Sequence, residues 1–249
     1  MSWLTRTAQG WWLIGSAGVL MGCVASTPVP SAETQVQSSR PAADVARDAG
    51  RRPYAVLEFL GVAPGMTVLD VMAGGGYYTA VLAEAVGPGG RVYAQNTARG
   101  LRYGGGRNDR ALQARLDGGA LPNVRRLDRE FDDLGLVADS VDVAITALNF
   151  HDVYHASPQA AQAVLAALYR VLKSGGVLGI IDHVGIAQED NPALHRIVPA
   201  RVIEAAQQAG FTVQSSDLLA NADDDHLQSP FAPGLRGNTD RLLLKLTKP

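Results

Sequence analysis

The segment Asn149-Phe150-His151-Asp152-Val153-Tyr154-His155 places two imidazoles, a carboxylate and an amide side by side, just after the apolar run Val141 to Ala147. An imidazole titrates near neutral pH, so His151 is suited to take a proton from an oxygen, nitrogen or sulfur nucleophile. The same ring could equally be a hydrogen-bonded wall of a pocket. Asp152 is either its catalytic companion or a cap for the chain that follows. Tyr154 and His155 read as structural or rim residues. Further on, Asp182-His183 closes a second apolar run that begins at Val177. Together His151, Asp152, Asp182 and His183 offer oxygen and nitrogen ligands, but their spacing matches no metal motif, and no metal is assigned.

A second constellation is VLDVMAGGGYYT, from Val68 to Thr79. An apolar run carrying one carboxylate, Asp70, leads into Gly74, Gly75 and Gly76. A helical pattern, Tyr77 to Val86, follows. Glycine adopts backbone angles that a Cβ disfavours, and it lets a ligand approach the main chain at a helix N-terminus. A dinucleotide site wants G-x-G-x-x-G, and Thr79 stands in the third place. A turn that holds no ligand is the remaining alternative.

These residues must be positioned by the elements around them. Strands are expected at Met66 to Val71, Arg91 to Gln95, Val124 to Leu127, Val141 to Ala147, Val177 to Asp182, Phe211 to Ser215 and Arg241 to Leu246. Helical patterns separate them. One is Tyr54 to Leu60, another ends at Gly87-Pro88-Gly89-Gly90, and a third starts at Ser157-Pro158, where Ser can cap and Pro suits the first turn. A helix from Pro199 to Gln208 closes at Gly210. The stretch Arg99 to Asp117 reads as irregular, then helical, broken at Gly104-Gly105-Gly106. Alternating strands and helices imply an α/β fold with a mostly parallel sheet covered on both faces. In such sheets ligands sit beyond the carboxyl ends of the strands.

The chain has 249 residues, 47% hydrophobic and 18% charged, which suffices for one well-buried domain and not clearly for two. A net charge of −2 gives no basic character that would argue for nucleic acid. The N-terminus differs from the rest. Arg6, an apolar segment from Trp11 to Met21 and small residues at its end make a signal-like leader, too short for a spanning helix. Ala25 to about Pro41 is rich in Ser, Thr, Pro, Ala and Gln and reads as a tether.

Leu20-Met21-Gly22-Cys23 resembles a bacterial lipobox, which implies removal of 1–22 and lipidation of Cys23. The expected division is 1–22 signal, 23–41 tether and 42–249 domain. It implies a lipid-anchored protein of the bacterial envelope, facing the periplasm. Val24 in place of aspartate favours the outer membrane. Over nearly all of Ala42 to Pro249 the chain is similar to a family of exported bacterial class I methyltransferases with unassigned substrates. The resemblance rests on Arg51-Arg52-Pro53, GGGYYT (Gly74 to Thr79), NFHDVYH (Asn149 to His155), LHRI (Leu194 to Ile197) and RGNTDR (Arg236 to Arg241). It implies a Rossmann-like, seven-stranded fold with an antiparallel last strand. Its implied cofactor is S-adenosylmethionine, and its implied acceptor a small molecule or envelope component. Asp70 and Ala73 to Gly76 are then expected at the methionine moiety and Asn96 at the ribose. Glu130 and Phe131 are expected at the adenine, with Asn149 also on the cofactor, and His151 and Asp152 are the catalytic pair. Two departures stand out: Met72, where the family usually has glycine, and Asn96, where it has an acid. They leave open a non-catalytic lipoprotein that keeps the fold. His195-Arg196 and Arg236 are candidates for binding an anionic substrate.

Overall fold

A computed structural model describes residues 40–249, so Cys23 and the expected signal lie outside the described residues. The chain forms, in order, α1 (Ala42–Val45), α2 (Asp48–Arg51), α3 (Pro53–Leu60), β1 (Thr67–Val71), α4 (Tyr77–Val86), β2 (Arg91–Asn96), α5 (Ala98–Leu116) and β3 (Val124–Asp128). It continues with β4 (Val141–Ala147), α6 (Phe150–Ala156), α7 (Pro158–Val171), β5 (Leu172–His183), α8 (Asn191–Leu194), α9 (Pro199–Gln208), β6 (Thr212–Ser216) and β7 (Arg241–Thr247). All seven strands join one sheet of order β3-β2-β1-β4-β5-β7-β6. β1 to β5 run parallel, and β7 lies antiparallel between β5 and β6.

Side chains alternate across a strand, and here each face feeds its own core. Leu69, Ala144, Leu178 and Leu244 pack with residues of α7 and α9. Val68, Val143, Val177 and Leu243 pack with residues of α3 and α4. The strand order reverses between β1 and β4, so the ends of β1, β2, β4 and β5 border the crevice where such sheets bind ligands. Among the described residues no helix is long and apolar enough to cross a membrane.

The structure and the sequence reading differ in detail. Arg40, which the sequence reading places in the tether, is buried and pairs with Asp48 at 2.8 Å. The His151 segment is helical, as α6, although seven residues span too few turns to show a period. Strand β5 starts five residues early, because Leu172 pairs with Val141 before a register shift carries the ladder on to Val177. The break in α5 falls where the glycines forecast it. Gly104, Gly105 and Gly106 have φ of 57°, 67° and 83°.

Candidate active site

Asp70, the penultimate residue of β1, is buried at 3% exposure. Its carboxylate accepts the Thr79 hydroxyl at 2.6 Å and the Thr79 backbone N–H, which ties the strand to the first turn of α4. Burial pushes the Asp70 carboxyl up to about 7, against those hydrogen bonds and the charges of Arg115 and Arg51. Met72 has φ of 52°, the left-handed region that a glycine would occupy without strain. Its N–H donates to Gln95 Oε1 at 2.9 Å, and its carbonyl accepts from Asn149 Nδ2 at 3.2 Å.

The three glycines do different jobs. A Cβ on Gly75 would meet Ala111 Cβ at 3.0 Å, and one on Gly76 would meet Arg115 Cδ at 2.9 Å. Both are therefore required by the second half of α5 packing onto the turn. Gly74, at φ of 57°, is the least crowded of the three: a Cβ there would meet Asn108 at an ordinary contact distance of 3.8 Å.

Asn96 is 2% exposed and closes this turn. It accepts from Gly74 N–H at 2.9 Å and donates to Gly74 O at 3.2 Å. Its amide thus faces the turn instead of standing open to a diol. Glu130 accepts the Ala98 N–H at 2.8 Å at the start of α5, and Phe131 packs against the core. Glu130 lines a cleft with Ala98, Leu101, Asp128 and Arg129. Asn149 bridges the ends of β1 and β4, donating to Met72 O and, at 2.7 Å, to Ala147 O.

Arg51 was visible in the sequence only as part of a motif. Its guanidinium lies 4.4 Å from the centre of the Tyr77 ring, at the N-terminus of α4. Burial, with the charges of Arg47 and Arg241, lowers its pKa, and among the described residues no carboxylate forms an ion pair with it. A half-buried cation without a carboxylate beside a helix N-terminus suits an anion.

His151 is 4% exposed, in the first turn of α6. Asp182, at the end of β5 and fully buried, accepts the His151 backbone N–H at 2.7 Å and pairs with its Nδ1 at 2.7 Å. The ring is thereby fixed with Nε2 directed outward, 3.4 Å from Asp152 Oδ1. Burial pulls the His151 pKa down, but the Asp182 hydrogen bond and charge outweigh it and hold it above the ordinary value. His183 behaves oppositely. Its Nδ1 is 2.8 Å from the Thr239 hydroxyl, and burial pushes it down to about 4.

Asp182 and His183 therefore do not converge with His151 and Asp152 on one point. Asp182 orients His151, and His183 is engaged elsewhere. Arg196 is not an anion site either. It is fully buried, its guanidinium pairs with Asp224 at 2.9 Å, and it donates to Val184 O and Gln228 O. Arg236 is exposed. His195 was grouped with those arginines, yet it stands edge-on to His151 with ring centres 5.6 Å apart.

A reversed-order, seven-stranded sheet with a glycine turn after β1 defines the class I S-adenosylmethionine-dependent methyltransferase fold. Residues 51–189, more than half of the chain, match the model of the protein-L-isoaspartate(D-aspartate) O-methyltransferase family, and the chain belongs to that family of S-adenosylmethionine-dependent methyltransferases. It is 30% identical over 141 residues to the ubiquinone/menaquinone biosynthesis C-methyltransferase UbiE of Ectopseudomonas mendocina, over 57% of this chain and 50% of that protein. It is 62% identical over 39 residues to the protein-L-isoaspartate O-methyltransferase of Aeropyrum pernix, over 16% of this chain and 15% of that one. The chain thus spans half or less of the length of these relatives. Among solved structures, a methyltransferase from Aquifex aeolicus superposes with a TM-score of 0.58 at 24% identity, over 78% of this chain and 88% of that one. A possible exported protein from Bordetella parapertussis superposes with a TM-score of 0.54 at 14% identity, over 85% and 71%.

The cofactor of this family is S-adenosylmethionine, and the residues present fit it. Gly74 is the least crowded glycine of the turn, and Arg51, which forms no ion pair among the described residues, sets a cation beside it. Bound there, the cofactor supplies a methyl group on a sulfonium.

Proposed function

We propose that the chain transfers a methyl group from S-adenosylmethionine to a small-molecule or envelope acceptor held against His151 and Asp152. The observation that carries this reading is the His151–Asp182 pair at 2.7 Å, with Nε2 turned toward Asp152. Asn149 links this end of β4 to the glycine turn, so both sites share one crevice. Asp70, Ala73 and Gly74 to Gly76 hold the methionine part of the cofactor, and Arg51 takes its carboxylate. Asn149 Oδ1 adds an acceptor there, while Glu130 and Phe131 border the adenine end. Methyl transfer is an in-line displacement, so the protein chiefly supplies approach geometry. His151 relieves the acceptor of a proton where its nucleophile carries one.

The signal-like leader and the lipobox-like Leu20-Met21-Gly22-Cys23 support lipidation at Cys23 and a periplasm-facing place on the envelope. One observation favours a second reading, a ligand-binding protein without turnover: the uncharged amide of Asn96 is engaged by Gly74.

Calorimetric titration of the full chain with S-adenosylmethionine and its demethylated product tests the cofactor site. Gly74→Val puts a branched side chain at the least crowded glycine of the turn, where the cofactor is to approach, so affinity should fall at least tenfold, about 1.4 kcal/mol. His151→Ala should leave it within about threefold. Unchanged binding in a folded Gly74→Val protein would move the cofactor elsewhere. For the anchor, Cys23→Ser should end incorporation of radiolabelled fatty acid, and label persisting in the variant would refute lipidation.

A further inference from the structure

Methyl transfer as described uses His151 Nε2 for proton removal, and two polar side chains stand close to that ring. One is Asp152 on α6. The other is His195, which ends α8 with φ of 51°. The buried Arg196–Asp224 pair beside it pins this segment down. The His195 ring is held edge-on between His151, at 5.6 Å, and Phe231, at 5.2 Å.

The three polar side chains face a common point. His151 Nε2 lies 3.4 Å from Asp152 Oδ1, and His195 Nδ1 lies 3.7 Å from the same oxygen. All three ligand atoms fall within 4.8 Å of one another. These separations are long for hydrogen bonds. Ligands bound at about 2.1 Å around a tetrahedral ion stand roughly 3.4 Å apart, so the observed spacing needs only small movements to close on a metal.

We propose that His151, Asp152 and His195 bind a divalent transition-metal ion at the acceptor end of the crevice. Two imidazoles and one carboxylate select a borderline ion of the zinc, cobalt or iron(II) kind over magnesium or calcium, which prefer oxygen. Asp182 is the independent sign of such a site. A metal-bound imidazole commonly donates its other N–H to a carboxylate, which fixes the tautomer and aims the lone pair, and the fully buried Asp182 stands 2.7 Å from His151 Nδ1. Three protein ligands leave coordination positions open. Asp152 at 67% side-chain exposure and His195 at 43% let an ion and an acceptor enter from solvent.

The use of the ion rests on the methyltransferase reading; its binding does not. An acceptor hydroxyl or thiol bound to the ion would lose its proton to water, and the resulting anion would form a bond to the methyl carbon as the methyl–sulfonium bond breaks and the neutral thioether product of S-adenosylmethionine leaves. The ion then occupies Nε2, so in the loaded protein the imidazole does not take that proton.

The test uses the full chain carrying Cys23→Ser, which removes the thiol as a competing ligand. After chelation and dialysis, the protein is titrated with Zn²⁺ by calorimetry and with Co²⁺ by visible absorption. One ion per chain is expected, with intense cobalt bands of a four- or five-coordinate site. His195→Ala and, separately, His195→Gln should weaken Zn²⁺ binding at least tenfold and leave S-adenosylmethionine affinity within threefold. Asp182→Asn should weaken it roughly ten- to a hundredfold without removing a ligand. Thermal melts establish that each variant is folded. Absence of stoichiometric binding, or wild-type Zn²⁺ affinity in both folded His195 variants, would overturn the proposal. Zn²⁺ bound by a chain that ignores S-adenosylmethionine would keep the metal site and remove the methyl transfer reading.

Discussion

Asp70 carries an ionisation that folding opposes. Its folded-state pKa is raised to about 7 by burial, above its unfolded value of 3.8. Between those values the unfolded chain has released the proton and the folded chain still holds it. This contribution to stability is therefore full below about pH 4 and is lost as the pH rises toward 7. Across pH 5 to 8 the loss should be on the order of 3 kcal/mol. Asp70→Asn cannot ionise, so its stability in urea should fall less over the same range. Parallel pH profiles for the two proteins would mean that Asp70 is already ionised in the fold. Met72 belongs to the same scale. Its left-handed backbone stores strain that a glycine would not, and its two main-chain hydrogen bonds to Gln95 and Asn149 hold it there.

At the scale of elements, the crevice depends on side chains that tie neighbouring segments. Asp182 binds the start of α6 to the end of β5, accepting His151 N–H and His183 N–H from one buried carboxylate. Arg196 and Asp224 do the same for the segment after β5 and the loop before β7. Asp224 also accepts the Asp240 N–H at 2.7 Å. Removing one partner of a buried pair strands the other charge, so Asp224→Ala should destabilise the protein by about 3–5 kcal/mol. The urea midpoint should fall with an unchanged slope. Replacing both, as Arg196→Met with Asp224→Leu, should recover much of that loss. A single variant costing less than the double would contradict this account.

For the whole molecule, the sheet order brings together parts distant in the chain. β1 pairs with β4, and β4 with β5, so the glycine turn after Val71 and the helix after Ala147 open onto one crevice. A ligand that binds only the folded state stabilises all of it. S-adenosylmethionine at a hundred times its Kd should add about 2.7 kcal/mol, which raises Tm by roughly 5–11 °C in a domain of this size. The melt of the full chain with and without cofactor measures this, and Gly74→Val should lose most of the shift.

Strand and helix positions were legible in the sequence because they rest on local properties. Val141 to Ala147 and Tyr77 to Val86 appear with the boundaries read from apolar runs and their glycine and proline punctuation. The glycine turn after Asp70 and the break at Gly104 to Gly106 were legible for the same reason. α6 was not, since seven residues show no period, and the early start of β5 depends on a partner strand far away in the chain. Within the site, the sequence pointed to His151, Asp152 and Asp182 but not to their division of labour. Only the tertiary structure turned Asp182 toward His151, engaged Asn96 with Gly74, buried Arg196 against Asp224 and, among the described residues, left Arg51 without an ion pair. It alone brought His195 to His151. Those are contacts between segments with no shared periodicity, and strand order and loop path decide which of them meet.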